Sequence, residues 1–368
     1  MKKICLIFTI CFISIMLISC GKENYQFYRM DYNGYLDTTG YIIVEYSTKD
    51  YTTKELDSIL KGINDVLLNI EKEFSIEQTY YMVKANIQES TLMKINNNSG
   101  TNNKIKVSND FLKLLNISKD IYAKTNGLFD VTIGPLTRLW DISNKSEYCQ
   151  DDSSLLDYLC QIPNEDKINE ALSLINIEDV MIEGDYVSLK KSGMKLDFGA
   201  IAKGFAVEKI QEYLSNYEFT YSIINMGGNV KVYGTLNQVV EDLKIYVTNP
   251  FGDGNLGYYY PKNNTGGVTS GIYERYIVYK GEKYHHILNP KTGYPCNDSI
   301  VSVTIMHTDS TIADALSTSV FMLGAEEGLK LINSMDDVEV IIVTNNKQVY
   351  LSSDIEFVSE VENIEIIK

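Results

Sequence analysis

Three histidines occur in 368 residues, and two of them, His285 and His286, are neighbours in the run Tyr284-His285-His286-Ile287-Leu288-Asn289-Pro290. Imidazole is the side chain whose ordinary pKa best suits it to accept a proton from a hydroxyl near neutrality. If the run is a strand, adjacent side chains face opposite ways, so only one histidine can serve a given site. A second reactive grouping is Thr311-Ile312-Ala313-Asp314-Ala315-Leu316-Ser317-Thr318. On a helix, Asp314 shares a face with Ser317 and Thr318, three and four residues on. One carboxylate with two hydroxyls is hard oxygen ligation, suited to Mg²⁺ and not to zinc. The same residues at a helix start also serve simply as caps for backbone N–H groups.

Two glycine-containing segments could hold an anion. In Lys195-Leu196-Asp197-Phe198-Gly199-Ala200-Ile201-Ala202-Lys203-Gly204-Phe205, a strand is expected to end on Asp197 and a helix to start soon after, which presents free N–H groups to a ligand. Lys203 falls in the first turns of that helix, where the dipole disfavours a cation unless an anion is bound. In Ile223-Ile224-Asn225-Met226-Gly227-Gly228-Asn229-Val230, two apolar strand ends flank a Gly-Gly pair where backbone can approach a ligand. Gly127-Leu128-Phe129-Asp130-Val131-Thr132-Ile133-Gly134-Pro135-Leu136 places an aromatic and an acid after a turn glycine, then a strand-like stretch closed by Gly-Pro. Taken alone it is an ordinary helix end and turn.

The elements that must carry these groups are legible in outline. Tyr41 to Tyr46 is β-branched and aromatic and predicts a strand. Leu56, Ile59, Leu60, Ile63, Val66, Leu67 and Ile70 give one apolar face to a helix opening at Thr53 and ending near Phe74. A second helix is predicted from Asn109, short strands after Gly193, and a last helix from about Thr311 to Leu323. Without repeats or a Pro/Ser-rich linker, this reads as a single α+β domain with mixed and antiparallel sheets and packed helices, residues 34–368. With 33 Lys+Arg against 49 Asp+Glu, the net charge is −16, which excludes a nucleic-acid binder relying on a basic surface.

The N-terminus sets the expected compartment. Lys2 and Lys3 precede an apolar run from Ile4 to Ile18, the length of a secretory leader's hydrophobic region. The run ends in Leu17-Ile18-Ser19-Cys20-Gly21, which resembles a bacterial lipobox. Residues 1–19 are therefore expected to be a lipoprotein signal peptide. Cys20 is the expected lipidation site and residues 20–33 a tether, so that the body is extracytoplasmic and lipid-anchored to the bacterial membrane. Of the remaining cysteines, Cys149 and Cys160 could pair across an exported loop, and no spacing resembles a zinc site.

In order along the chain, GLFDVTIGPL, KLDFGAIAKGFAV, INMGGNV, TSGIYERY, HHILNPKTGYP and ADALSTS are similar to the motifs of the FAD:protein FMN transferases, the ApbE-like flavin transferases. The resemblance runs from about Leu36 to Leu331. It implies Mg²⁺-dependent cleavage of the FAD pyrophosphate and attachment of FMN through a phosphoester to a threonine or serine of an exported or membrane flavoprotein, with AMP released. It maps the metal ligands to Asp314, Ser317, Thr318 and the carbonyl of Ala200. Flavin-nucleotide contacts fall on Leu36, Leu128, Phe129, Asp130, Asp197, Lys203 and Leu288, with Asn225, Gly227 and Gly228 admitting the cofactor. His286 takes the general-base position. Ser317 replaces an acid found in part of the family, Asn289 an aspartate and Leu36 a methionine. Which of Tyr80 and Tyr81 holds the flavin-side aromatic position is open. Two other readings are an FAD pyrophosphatase, with water as acceptor, and a flavin-binding lipoprotein without chemistry.

Overall fold

The computed structural model describes residues 24–151, 159–236, 243–296 and 299–368. The leader and Cys20 lie outside the described residues. Strands β1 (Tyr25–Asn33) and β2 (Thr39–Ser47) lead into helices α1 (Thr53–Phe74), α2 (Tyr80–Lys84) and α3 (Thr91–Asn97), strand β3 (Ile105–Lys106) and helix α4 (Asn109–Lys124). Helices α5 (Gly134–Trp140), α6 (Ile142–Lys145) and α7 (Glu165–Leu172) precede strands β4 (Val180–Glu183) and β5 (Tyr186–Leu189) and helix α8 (Ala202–Leu214). Then come β6 (Tyr221–Met226), β7 (Asn229–Gly234), β8 (Ile245–Thr248), β9 (Asn255–Tyr259), β10 (Gly266–Gly271), β11 (Tyr276–Tyr279), β12 (Glu282–His285) and β13 (Ile300–His307). Helices α9 (Ser310–Leu323) and α10 (Ala325–Asn333) and strands β14 (Glu339–Thr344), β15 (Gln348–Leu351), β16 (Phe357–Ser359) and β17 (Glu365–Ile367) close the chain.

One nine-stranded sheet, in the order β1-β2-β6-β7-β10-β13-β14-β15-β17, organises these elements. Its pairs are antiparallel apart from β15 with β17, so the fold is α+β as expected. One face is covered by α1, α8 and α9: Leu60, Ile63 and Leu67 of α1, Phe205 of α8 and Leu316 of α9 meet Ile42, Val44, Ile224 and Val303 of the sheet. Each such side chain contributes about 1.5–3 kcal/mol by leaving water. The other face, at Ile341 and Val343, packs against Val247, Leu256 and Phe357 of a three-stranded sheet, β16-β9-β8. A third cluster gathers Leu136, Trp140, Leu288 and Ile277 with the Cys149–Cys160 disulfide.

The helix beginning at Thr53 forms as its spacing predicts. Glu55 N–H donates to Thr52 Oγ1 and the Thr52 N–H donates to Glu55 Oε2, a reciprocal cap that fixes the first turn. Four expectations need correction. The tether stops before Tyr25, because Tyr25 to Asn33 pairs residue for residue with β2 as the outer strand of the large sheet. The segment around Asp197 is not a strand: only Lys195 bridges, in parallel, to Ile133. Likewise the stretch before Gly134 is a turn, and Pro135 starts α5 in the position where a missing N–H costs nothing. Helix α9 is followed by α10, so it is not the last helix.

Because β1 covers the β2 edge, a chain starting at Gly34 should unfold earlier than one starting at Asn24. Thermal unfolding followed by circular dichroism should place its Tm lower by about 5 °C or more.

Candidate active site

Backbone N–H groups join α8 and α9, which carry the two expected motifs: Ser310 donates to Glu208 Oε1 at 2.7 Å, and a second bond runs the other way. The Gly204 N–H at the start of α8 donates to Asp314 Oδ2 on α9 at 2.8 Å. In a continuing helix that N–H would serve the carbonyl one turn upstream, so the Ala200 carbonyl is left with no donor among the described residues. Position 204 has no room for a side chain, since a Cβ would run into the Ser310 carbonyl oxygen and lie 2.8 Å from the Asp314 Cβ. Asp314 is 3% exposed, and a carboxylate buried that far needs a compensating partner. Ser317 Oγ donates to the Asp314 carbonyl at 2.8 Å and shares a hydrogen bond of 2.7 Å with Ser270 Oγ on β10. Thr318, the next residue, is half-buried.

The expected ligands, the second Asp314 carboxylate oxygen, the Ala200 carbonyl and the Ser317 and Thr318 hydroxyls, offer oxygen only. Their chemistry fits Mg²⁺, and the orphaned carbonyl beside a buried carboxylate is the observation that speaks for a cation. Among the described residues no three acids, imidazoles or thiols converge into a metal cage.

The nucleotide-side residues are held by loops clamped to each other. Asn96 brackets Leu196, donating from Nδ2 to its carbonyl at 2.9 Å and accepting its N–H at 2.7 Å. The Asp197 N–H donates to the Val131 carbonyl at 2.8 Å, which joins this loop to Leu128, Phe129 and Asp130. Asp197 accepts from the Gly199 N–H at 2.8 Å and the Thr137 hydroxyl at 2.7 Å. Asp130 accepts the N–H and hydroxyl of Thr132, yet burial raises its carboxyl above the ordinary range. Both acids therefore brace their own loops. Lys203, half-buried in the first turn of α8, makes no hydrogen bond or close ion pair among the described residues, and the nearby acid is Glu274.

The two histidines separate cleanly. Strand β12 ends at His285, so His286 lies just beyond the strand, yet the two rings still part ways. His285 is buried, accepts the Ile287 N–H at Nδ1 and donates from Nε2 to the Cys296 carbonyl at 2.6 Å. Both its nitrogens are spent on the backbone. His286 directs Nδ1 to the Arg275 carbonyl at 3.1 Å, a contact that requires Nδ1–H and leaves Nε2 with its lone pair. No described residue bonds Nε2. Burial, with the nearby charges of Lys203 and Arg275, pushes the His286 pKa down to about 3, so the ring is neutral.

Several contributors were not evident from residue type. Arg275 donates to the Asp37 carbonyl at 3.0 Å and the Ser143 hydroxyl at 3.2 Å while its own carbonyl aims His286. Glu274 interacts with Lys203, Arg275 and Asp314; loss of solvent, with the Asp314 charge adding, raises its carboxyl pKa. The only sequence signal for this pair was its place in the motif before the histidines.

Of the other expected residues, Gly227 and Gly228 form the two-residue turn between β6 and β7 at φ 55° and 88°, and a side chain at Gly227 would strike Thr38. With Asn225 they line a cavity of about 490 Å³. Leu36, at φ 51°, donates its N–H to the buried Glu71 carboxylate at 3.2 Å. Leu288 is buried in the third core cluster, distant in role from a polar contact. Tyr81 stacks on Tyr35 at 3.7 Å and donates to the Asn33 carbonyl, whereas Tyr80 meets Tyr81 edge-on at 5.2 Å and is 71% exposed.

Residues 43–342 match the ApbE family, and the chain belongs to it. It is 32% identical over 279 residues to the FAD:protein FMN transferase of Klebsiella pneumoniae, spanning 74% of this chain and 80% of the relative. The protein of the same name from Treponema pallidum is 29% identical, over 78% of this chain and 80% of the relative. The solved ApbE protein of Thermotoga maritima superposes with a TM-score of 0.72 at 28% identity, covering 89% of this chain and 97% of that one. The flavin transferase ApbE of Vibrio cholerae superposes with a TM-score of 0.70 at 22% identity, over 91% and 97%.

Two outcomes follow from this geometry. NMR of the imidazole resonances should show His286 neutral at pH 5 and His285 titrating below the ordinary imidazole range, because burial lowers both. The unfolded chain then binds protons that the folded chain refuses, so stability should fall as pH drops below about 6.5. Gly204→Ala should lower Tm and loosen the α8–α9 contact, while Ala206→Gly, deeper in α8, should cost about 1 kcal/mol by propensity together with the loss of a buried methyl.

Proposed function

We infer that this chain is an FAD:protein FMN transferase, moving FMN from FAD onto a threonine or serine hydroxyl of an exported protein. The single observation carrying the reading is His286: neutral, fixed by the Arg275 carbonyl through Nδ1, with Nε2 bonded by no described residue and the Lys203 charge nearby. Its family membership and the names of its relatives supply the substrate class.

In this reading Nε2 takes the proton of the acceptor hydroxyl as its oxygen attacks the FMN-side phosphorus. The bond to the AMP oxygen breaks and AMP leaves. Lys203 and the start of α8 hold the pyrophosphate, which matters because FAD is an anion approaching a chain of net charge −16. Asp314, Ala200, Ser317 and Thr318 would hold Mg²⁺, which supplies charge neutralisation and polarisation of the phosphorus when bound. Tyr80 is the ring free to stack on the flavin. The Cys149–Cys160 disulfide supports an oxidising, extracytoplasmic location, with Cys20 as the lipid anchor.

The soluble body, FAD, Mg²⁺ and candidate exported flavoproteins should together yield a threonine- or serine-linked FMN detectable by mass spectrometry. His286→Ala should keep FAD affinity, read by flavin fluorescence, and lose transfer by about 10²–10⁴-fold. Asp314→Ala should abolish turnover, and Ser317→Ala should only raise the Mg²⁺ requirement. Release of FMN with no acceptor labelled by any candidate would instead make it a pyrophosphatase.

A further inference from the structure

The cavity beside the Gly-Gly turn is not explained by the FAD-side residues. Its wall holds none of Leu128, Phe129, Asp130, Asp197, Lys203 or Leu288. It is instead built along all four residues of β8, Ile245–Thr248, and reaches Arg275, whose carbonyl aims His286. Strand β8 lies at the edge of its three-stranded sheet, paired with β9 alone. Among the described residues, none outside β9 hydrogen-bonds to the main chain of Ile245–Thr248. The wall also includes Gly227, Gly228 and Gly267; Gly227 packs on Thr38 and Gly267 on Tyr259, whereas a Cβ placed on Gly228 would meet only the Thr269 carbonyl, at 3.7 Å. A strand edge with no further partner among the described residues, in a cavity left open at Gly228, leaves room for another backbone.

We propose that the acceptor polypeptide docks here in extended form, adding as a strand to β8 so that its hydroxyl residue reaches His286; this rests on the transferase reading above. Strand addition draws its affinity from main-chain hydrogen bonds and leaves alternate side chains pointing to opposite faces. One face then delivers the threonine or serine toward Nε2 while its neighbours point away. The arrangement also meets a demand of the chemistry. In-line displacement needs the attacking oxygen opposite the departing AMP oxygen, so acceptor and nucleotide must enter from different sides. The cavity shares Asn225, Gly227 and Gly228 with the cofactor side but holds none of Leu128, Phe129, Asp130, Asp197, Lys203 or Leu288, so β8 forms the part of its wall that no expected cofactor residue occupies.

The test uses a short synthetic peptide spanning the residue that becomes flavinylated in the co-incubation experiment, N-methylated at one backbone amide at a time. Strand addition predicts that kcat/KM falls about tenfold at alternate positions flanking the acceptor residue and changes little between them, with FAD binding unaltered. A photoreactive p-benzoylphenylalanine in place of Tyr246, which is 49% exposed, should crosslink the same peptide. Transfer that tolerates methylation equally at every position, or a peptide that crosslinks nowhere along β8, overturns the docking mode and leaves the transferase reading standing. A co-incubation in which no candidate acceptor is labelled overturns the transferase reading, and the docking mode with it; an unmethylated peptide that stays unlabelled although its parent protein is labelled overturns the docking mode alone.

Discussion

The bond from the Gly204 N–H to Asp314 is the constraint on which the site depends. A carboxylate as buried as Asp314 is costly unless donors or a cation answer it, and here one helix's first free N–H answers one oxygen. Three consequences follow from that economy. The Ala200 carbonyl loses its helical donor, the second Asp314 oxygen keeps no hydrogen-bond partner among the described residues, and α8 and α9 approach so closely that only glycine fits at 204. The start of α8, with Lys203 on the same turn, is thus fastened directly to Asp314 of α9.

The base is positioned by a different device. His286 owes its tautomer to a backbone carbonyl, and that carbonyl belongs to Arg275, whose guanidinium fastens the turn at Asp37 and helix α6 at Ser143. The hairpin carrying both residues is pinned again where the Val278 N–H donates to the Cys149 carbonyl, next to the disulfide. A ring so held neither flips nor charges readily, since the positive neighbours that suit an anionic substrate also oppose protonation. Placing the cations and the base together keeps the imidazole neutral before the acceptor arrives.

Residue types and spacing were enough to locate most of the chemistry. The apolar period of α1, the helix through Asp314 and Thr318, the Gly227-Gly228 turn and the parting of the two histidine rings follow from local rules, because helix period and left-handed turns are properties of neighbouring residues, whereas the choice of His286 over His285 came from the family resemblance. Strand β1 was not legible: in Tyr25 to Asn33 only Tyr28, Met30 and Tyr32 turn to the core, aromatic residues stand on both faces, and its strand identity comes from an edge partner. The loop at Asp197 looked like a strand because its apolar residues are buried, but Asn96, a hundred residues away, takes its main-chain groups. Only the tertiary structure decided which atoms act. The Gly204 N–H, the Ala200 carbonyl and the Arg275 carbonyl are groups every residue carries, so nothing in their residue types announces them. Their roles arise where packing removes one partner and supplies another.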